Sequence, residues 1–585
     1  MIWRIIIMNE YNNQNGFNPD GFTDSVSGVE TITKKKRGKK IAIISGISVA
    51  ALAGGGAIAY NVSPLVKNQV KLHTSSAKNY YAWVNEENAG DLAKSIADSY
   101  SEALDKYEKG TTEKFAVEYK VSDGAKEAFL TEVLGSDYKD EVDEDTQQLL
   151  DIVNNIEKLK IGIDGSTKKN LMALNVYGEL NDEELVSLDF AGDFDQMALF
   201  ARIPQLSEQY IGFSFKELLE EEIDDQTTLE TIMDVLNDPA SYLSPAELEK
   251  EINRYVSVWN KSVSKVKIEK KEEIGIGDID VNYTVATVKI DEKTGEKIRE
   301  NFMEALKNDE IIKEIVVEKL GIVDEEEYEK TFEEDEEEDI DIDEDEDFDL
   351  DEEDEDDKDE KEQIVSFSTY IDAKGVIRGF SLSDNSDEKN DIRFIIGKDG
   401  KDVRGEFVAI TEGNEQFSAI LTADESKGSY DGNIDITVHD YDYDFNDDDE
   451  LVVSDDETTN ISVEFEDFKI VDEEKCYVEG DITLVIPDTD PIKLNLESDG
   501  KSQTINYNIV IDDTDFGTIS LITSTKDGFE ADVPSMDDAF EIDENFENDD
   551  IFSYVSEEEL VDFVKDLLKK IGFSDELAEE IITEM

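Results

Sequence analysis

Cysteine and histidine are almost missing from this chain of 585 residues. Cys476 is the single cysteine, and His73 and His439 are the two histidines. One cysteine excludes an intramolecular disulfide. A large exported protein without disulfides is more typical of Gram-positive bacteria than of a eukaryotic secretory pathway. Neither histidine stands in an H-x-E or H-E-x-x-H setting, so the sequence predicts no metal site and no cofactor.

Basic residues are scarce, with 56 Lys and Arg against 148 Asp and Glu, and the formal net charge is −92. Nucleic-acid binding needs clustered Lys and Arg to contact phosphate groups, so we expect no nucleic-acid partner. Self-repulsion should keep such a chain soluble. Hydrophobic residues make up 38% of the chain, which is enough for a core, and the length allows two or three domains.

Catalytic signatures are also missing. Gly275-Ile276-Gly277 lacks the third glycine of a dinucleotide-binding loop. No motif places Cys476 against His439, so a structural cysteine is the simpler interpretation. The sequence therefore predicts that the protein is not an enzyme. A carboxylate-dependent hydrolase stays open as an alternative, because such an enzyme needs only two acids and this chain has 148.

A basic cluster precedes an uncharged run near the N-terminus. Its bases are Lys34, Lys35, Lys36, Arg37, Lys39 and Lys40. Residues 41–60 follow without a charge, and twenty helical residues span about 30 Å, the thickness of bilayer hydrocarbon. Because positive charges stay on the cytoplasmic side, the sequence predicts a single-pass protein of the cell membrane. Residues 1–40 are then a disordered cytoplasmic stub, residues 41–60 a transmembrane helix, and the C-terminus is extracellular.

Two details of this segment leave alternatives open. Ala57-Ile58-Ala59 has the A-x-A form of a signal-peptide cleavage site. The alternative is therefore secretion after cleavage near Ala59, and N-terminal sequencing of the mature protein separates the two cases. Met8 is a second candidate for the start of translation, and its use would not change the topology.

A stripe of small residues recurs at every fourth position of the predicted span: Ala42, Gly46, Ala50 and Gly54. Such a stripe lets two helices approach closely in a membrane. Self-association through the span is therefore a hypothesis. Detergent-resistant dimers that Gly46→Leu abolishes would support it, and a wild-type protein without such dimers would contradict it.

The remaining residues predict an α+β fold with one large antiparallel meander sheet, or two consecutive ones, covered on one face by amphipathic helices. Apolar residues at helical spacing predict a helix from Ser76 to about Lys109. Ser244 and Ser556 each begin a capping signal for a later helix. From residue 364 onward the apolar residues alternate with period two, which predicts about ten strands. The predicted domains are an extracytoplasmic α+β half, 76–320, and a β-rich half with a C-terminal helix, 363–585.

Acidic runs separate and decorate these halves. Residues 324–362 contain 29 acids and three lysines, so we predict a disordered acidic linker rather than a calcium store. Asp440-Tyr441-Asp442-Tyr443-Asp444 has the opening of a calcium loop. Phe445 and Leu451 stand where the loop needs glycine and glutamate, so the segment is interpreted as an exposed acidic loop.

The chain resembles a family of uncharacterised single-span envelope proteins of Gram-positive anaerobes, a domain of unknown function. The resemblance depends on the order of basic cluster and apolar span, on residues 79–88 (NYYAWVNEEN) and on residues 203–210 (IPQLSEQY). It implies topology and no activity. More loosely, a meander with overlying helices resembles the half-barrel of lipoprotein carriers, which hold acyl chains between sheet and helices.

These observations lead to one expected function and two alternatives. We expect a non-enzymatic, membrane-anchored extracytoplasmic binding or interaction protein whose ligand the sequence does not name. The first alternative is a carrier or sensor of an apolar, lipid-like ligand in a cavity between sheet and helices. The second is the carboxylate-dependent hydrolase, which requires two carboxylates facing each other across a cleft.

Overall fold

The structure is a computed structural model, and it describes residues 64–136, 138, 142, 144–215, 235, 237–332, 364–384, 390–411, 413–445, 451–511, 514–542 and 554–584. The helices are α1 (Pro64–Thr74), α2 (Ala77–Lys109), α3 (Asp123–Leu134), α4 (Glu144–Asn155), α5 (Pro239–Tyr242), α6 (Pro245–Ser262), α7 (Glu292–Lys307), α8 (Glu310–Lys313), α9 (Glu325–Lys330), α10 (Glu557–Ile571) and α11 (Asp575–Glu584). A π-helical turn, Glu314–Lys319, follows α8.

The strands before the acidic run are β1 (Thr111–Val121), β2 (Lys158–Lys168), β3 (Leu171–Leu180), β4 (Glu183–Asp193), β5 (Ala198–Arg202), β6 (Ile211–Ser214), β7 (Val266–Ile276) and β8 (Ile279–Ile290). Those after it are β9 (Val365–Ile371), β10 (Ile377–Asp384), β11 (Asp391–Asp399), β12 (Asp402–Thr411), β13 (Asn414–Ser426), β14 (Ser429–Phe445), β15 (Leu451–Asp472), β16 (Tyr477–Val485), β17 (Ile492–Ser498), β18 (Ser502–Ile511), β19 (Thr514–Asp527) and β20 (Phe540–Ile542).

The capping signals in the sequence set the starts of the main helices. The Ser76 side chain accepts a hydrogen bond from the backbone N–H of Asn79 and begins α2, the predicted long helix. Ser244 and Glu247 form the predicted capping box of α6, in which each side chain accepts from the other residue's backbone N–H. Ser556 begins α10 in the same way. These caps satisfy backbone donors that a first helical turn leaves without partners.

All strands belong to one sheet of twenty strands. Strands β7 to β19 pair in sequence order, β19 pairs with β1, and β1 to β6 continue the order. Every pairing is antiparallel except that of β20 with β6 at the far edge. Both predicted halves therefore contribute strands to the same sheet, because β8 pairs with β9 and β1 pairs with β19.

The largest core lies between helices α2, α6 and α7 and the strands at the β7 edge. Tyr81 and Val84 of α2 pack with Trp259 of α6 and with Phe367 and Ile371 of β9, and all five side chains are buried. The indole N–H of Trp259 donates to the Tyr81 hydroxyl at 3.0 Å, which satisfies the one polar group of each ring inside the core. This core anchors the helices to one edge of the sheet.

The predicted fold class is wrong in two respects. The helices do not cover one whole face of the sheet: the large helix-packed core reaches from the β7 edge to β10, and Phe407 of β12 and Val438 of β14 are exposed on the same face. In the part of the chain that the structure describes, no helix is long and apolar enough to cross a membrane. The longest, α2, has 33 residues and carries charged side chains along its length. The predicted span 41–60, its basic cluster and its small-residue stripe lie outside the described residues.

One local interpretation is also corrected. Residues 440–445 belong to the long strand β14, not to an acidic loop, because they pair with residues 451–457 of β15. Cys476 lies in the turn before β16 with a φ of 57° and is exposed, so it does not occupy a strand.

Candidate ligand-binding surface

One face of the sheet carries apolar side chains from edge to edge, and we call it the apolar face. Residues opposite each other in an antiparallel ladder point to the same side of the sheet. Val117 of β1 lies opposite Ile161 of β2 and Leu521 of β19. Further on, Phe394 of β11 lies opposite Phe380 of β10.

The same register extends this face through every neighbouring strand between β7 and β4. In sheet order its side chains include Ile268, Val288, Phe367, Phe380, Phe394, Phe407, Phe417, Ile434, Val463, Ile482, Leu494, Ile505, Leu521, Val117, Ile161, Val176 and Leu188. The apolar residues alternate with polar ones along each strand, which is the pattern of a sheet with one wet face.

Aromatic rings connect the helix-covered core to the uncovered part of the apolar face. The ring centroids of Phe367 and Phe380 are 6.3 Å apart, and those of Phe380 and Phe394 are 6.0 Å apart. Phe407 and Phe417 meet edge to face at 5.6 Å. Such spacings are favourable for aromatic pairs. The row begins under α6, where Trp259 touches Phe367, and ends on strands without an overlying helix.

Large apolar side chains on this face are exposed beyond the helices. They are Phe115, Leu159, Ile161, Ile163, Val186, Phe190, Leu199, Phe213, Ile392, Phe407, Val438 and Leu521. Ile161 is the most accessible, at 66%. Soluble monomers rarely expose contiguous apolar patches of more than a few hundred Å², and a larger patch marks an interaction site.

Helix α2 shows that the sheet curves around the apolar face. The Asn88 side chain of α2 donates to Gly375 O in the β9–β10 turn, and the Tyr107 carbonyl accepts from Lys169 N in the β2–β3 turn. Those two positions are nineteen residues apart on the helix, or about 28 Å. The same two turns are twelve strand-to-strand steps apart along the sheet, or about 58 Å. The sheet must therefore bend into an arc with α2 as its chord.

The apolar face lines the inside of this arc, because Tyr81 and Val84 of α2 pack on it. We call the resulting concave surface the trough. The end of the trough beside α2 is made narrower by a contact between helix and sheet, in which Lys106 Nζ donates to Glu474 in the β15–β16 turn at 2.9 Å. The opposite strand ends carry α3 and α4, where Leu130 and Val153 form a small core.

The outer face is apolar at both ends of the sheet, where Tyr283, Tyr370 and Ile395 form one buried cluster and Phe200 belongs to another. Over β16 to β19 it is polar. Side-chain hydrogen bonds cross its strands in a ladder that includes Asn495 to Asp481, Asn506 to Asn495 and Ser520 to Asn506. A shallow depression of about 450 Å³ lies on this face, lined by Glu118, Lys120, Glu497, Thr504, Asn506, Thr518, Ser520 and Ile522. Its walls are polar, unlike those of the trough, so the cavity expected for an apolar ligand is not this one.

A cluster of acids lies under α7 and α8. Asp309 is fully buried, caps α8 through Ile311 N and Ile312 N, and accepts from Tyr255 Oη at 2.7 Å and from Arg254 at 2.9 Å. Burial, with the Asp309 carboxylate beside it, raises the pKa of Glu251. Burial alone would raise the pKa of Asp309 too, but the backbone N–H of Ile312 and the Tyr255 hydroxyl outweigh it and lower that pKa.

This cluster is a structural one and does not have the geometry of a hydrolase. Arg254 Nη1 lies 3.1 Å from Glu251 and 2.9 Å from Asp309. The guanidinium group therefore occupies the position between the two carboxyl groups where the glycosidic bond of a substrate would have to lie. The second alternative function therefore gains no support from this pair.

The structure places His439 and Cys476, the one Cys–His pair that the sequence offered, far apart. His439 pairs with Thr458 on β15, and its ring stacks on Tyr441 with centroids 5.5 Å apart. Cys476 lies beyond the far end of β15, which ends at Asp472. The fourteen residues from Thr458 to Asp472 alone span about 45 Å along the strand. Among the described residues, no group of three or more His, Cys, Asp or Glu side chains is arranged to hold a metal ion.

The sequence predicted the strands that form the trough, but it did not predict that they curve into a concave surface that helices leave uncovered. Period-two alternation placed apolar residues on one face, and the expectation was that helices would cover them. The missing signal is the number of helices: the described helices between β8 and β19 are α7, α8 and α9, too few to cover the ten strands in that interval. No protein-family model and no curated protein sequence matches this chain.

Proposed function

We propose that this chain is a non-enzymatic binding protein whose trough holds an extended acyl chain of a lipid-like molecule. The observation that carries the proposal is the exposed apolar face, which continues from the helix-covered core across strands that have no described helix above them. Apolar surface of this extent is unfavourable in water at about 25 cal/mol per Å², so an apolar occupant gains free energy by covering it.

The chemistry of the trough favours an acyl chain over a ligand with many polar groups. Ligand sites usually combine an apolar lining with a few polar side chains that fix orientation. The strands β11 to β14 present Phe394, Phe407, Phe417 and Ile434 in succession, with neighbouring strands about 4.8 Å apart. This gives a continuous apolar path without hydrogen-bond partners, which suits an unbranched hydrocarbon chain.

The full-length protein should carry a ligand when it is purified. We expect lipid extraction with mass spectrometry to find an acyl-chain compound. After the bound lipid is removed, the protein should bind cis-parinaric acid saturably, with increased fluorescence, and oleate should displace the probe. Absence of binding would contradict the proposal. A concentration-dependent dimer that excludes the probe would also contradict it, because a second copy would then be the occupant of the apolar face.

We also propose that the described part of the chain works outside the cytoplasm. Support comes from the sequence alone: the basic cluster 34–40 and the uncharged run behind it have the order of an export signal. External protease should then degrade the protein in intact cells while a cytoplasmic control protein survives. Protection of both proteins would contradict an extracytoplasmic location.

A further inference from the structure

Two stretches of this very acidic chain contain lysines and no acid. Residues 64–85 include Lys67, Lys71 and Lys78, and residues 257–268 include Lys261, Lys265 and Lys267. About one residue in four is acidic in the whole chain, with 148 acids in 585 residues. A combined run of this length without a carboxylate is therefore a local exception to the charge of the molecule.

The fold brings these stretches together. Lys78 Nζ of α2 donates to the Lys261 carbonyl at the end of α6 at 3.4 Å. Lys270 Nζ of β7 donates to the Leu72 carbonyl of α1 at 3.2 Å. We call the surface formed by Lys67, Lys71, Lys78, Lys261 and Lys270 the basic patch.

Most of this positive charge faces water. Lys67 pairs with Glu87, and both side chains are about half exposed, so the pair contributes little and opens readily. Lys67 and Lys71 both lie over the Trp83 ring, with Nζ atoms 5.6 and 5.7 Å from its centroid. Cation–π attraction to the Trp83 ring therefore holds the Lys67 and Lys71 ammonium groups close to each other.

An apolar side chain stands among these lysines. Val70 of α1 is 54% exposed and lies on the side of the helix opposite Leu72, which is buried in the core. Helix α1 has basic residues in its last turn and no acid. A helix that presents lysines and apolar side chains to solvent together has the composition of a helix that lies in a membrane interface.

We propose that the basic patch docks the protein on the surface of an anionic lipid bilayer. Lysines near such a surface are attracted to its negative potential, and Val70 can enter the boundary between headgroups and acyl chains. The bilayer repels the rest of the molecule, whose net charge is −92, so only the orientation with the patch toward the lipid is favourable. This inference does not depend on the trough.

The same features disfavour a nucleic acid as the partner. A phosphate backbone offers nothing for the exposed Val70 to contact. An extended polyanion would also run beyond the patch onto acidic surface, whereas a flat bilayer meets one side of the molecule only. The lipid surface is therefore the partner that fits both the charge and the apolar side chain.

Vesicle sedimentation with the full chain tests the inference. Binding to phosphatidylcholine vesicles is compared with binding to vesicles that contain 30% phosphatidylglycerol, and the ratio of the two affinities is the readout, which cancels any contribution of apolar segments elsewhere. The basic cluster 34–40 raises this ratio equally in wild type and in the lysine variants, so the comparison of variants assigns the effect to the basic patch. We expect a ratio of about 10 or more at 50 mM salt, falling toward 1 at 500 mM because salt screens the attraction. A ratio near 1 at low salt overturns the inference.

A matched pair of variants locates the effect. K67Q/K71Q/K261Q should lower the ratio roughly tenfold or more, since each lysine near an anionic surface contributes severalfold. K401Q/K427Q/K501Q removes three exposed lysines from strand turns away from the patch and should leave the ratio unchanged. Equal loss in both variants overturns the inference, as does binding of wild type to single-stranded DNA without anionic-vesicle binding. Equal melting temperatures confirm that both variants fold.

Discussion

Asn88 and Gly375 join the long helix α2 to the sheet. The Asn88 amide donates to the Gly375 carbonyl at 2.9 Å, and its oxygen accepts from the Ile377 backbone N–H at 3.1 Å. Asn88 is buried, so water cannot replace either bond. One side chain thus fixes the helix at the point where the arc of the sheet begins.

Asn88→Ala should lower the free energy of unfolding by about 2–3 kcal/mol, because it leaves a buried carbonyl and a buried N–H without their partner. Asn253→Ala is the matched control, since the Asn253 amide donates only to the Glu249 carbonyl of its own helix and is half-buried. We expect a loss of less than about 1 kcal/mol there. Denaturant titrations of both variants measure the difference, and equal losses would contradict the anchoring role.

If the trough binds the ligand, substitutions at two apolar positions of similar exposure should affect ligand binding differently when the positions lie on opposite faces of the sheet. Val438 is 39% exposed on the apolar face, and Ile420 is 37% exposed on the outer face of the neighbouring strand. Val438→Asp should weaken binding of cis-parinaric acid about tenfold or more, because it places a charge against the acyl chain. Ile420→Asp should change it less than about twofold, and equal effects would mean that the probe does not lie in the trough.

The buried pair Trp259 and Tyr81 predicts a non-additive result. Tyr81→Phe removes the acceptor of the indole N–H and should cost about 1–3 kcal/mol, the usual effect of a buried donor without a partner. In Trp259→Phe the donor is gone, so adding Tyr81→Phe should cost less than it does in wild type. A double-mutant cycle from equilibrium unfolding measures this coupling, and additivity would show that the bond contributes nothing.

Glu251 predicts a pH-dependent effect on stability. Its pKa is raised in the folded protein, so the stability that its proton provides is complete below the unfolded-state pKa of about 4.3 and is lost as the pH rises through the raised value. Glu251→Gln keeps a donor toward Asp309 at every pH. The variant should therefore be about 1 kcal/mol more stable than wild type at pH 7, and this advantage should shrink at pH 4.

The stability contribution of Asp309 depends on pH with the opposite sign to that of Glu251. Its pKa is lowered, so its contribution is present above the unfolded-state pKa and is lost as the pH falls through the lowered value. Melting temperatures of wild type and Glu251→Gln between pH 4 and 8 therefore report on Glu251, because Asp309 stays ionised over that range. A constant difference over that range would contradict the shifted pKa of Glu251.

Local sequence rules predicted the elements well where the cause is local. The helix behind Ser76, the capping box at Ser244 and Glu247 and the cap at Ser556 are all confirmed, because a cap depends on residues three positions apart. The trough was not predictable in this way. Its curvature depends on contacts such as Asn88 with Gly375, 287 residues apart, and on which strands lack a helix.

The pairing of β1 with β19 sets a limit on how the protein assembles during translation. The Thr112 hydroxyl donates to the Gly528 carbonyl, 416 residues later in the chain. At about 5–20 residues per second a ribosome needs roughly 20 to 80 s to make that length. During this time the edge of β1 that later pairs with β19 has no partner strand, and unpaired strand edges invite aggregation. The 148 acids of the chain oppose aggregation during that interval, because nascent copies with a large negative charge repel one another.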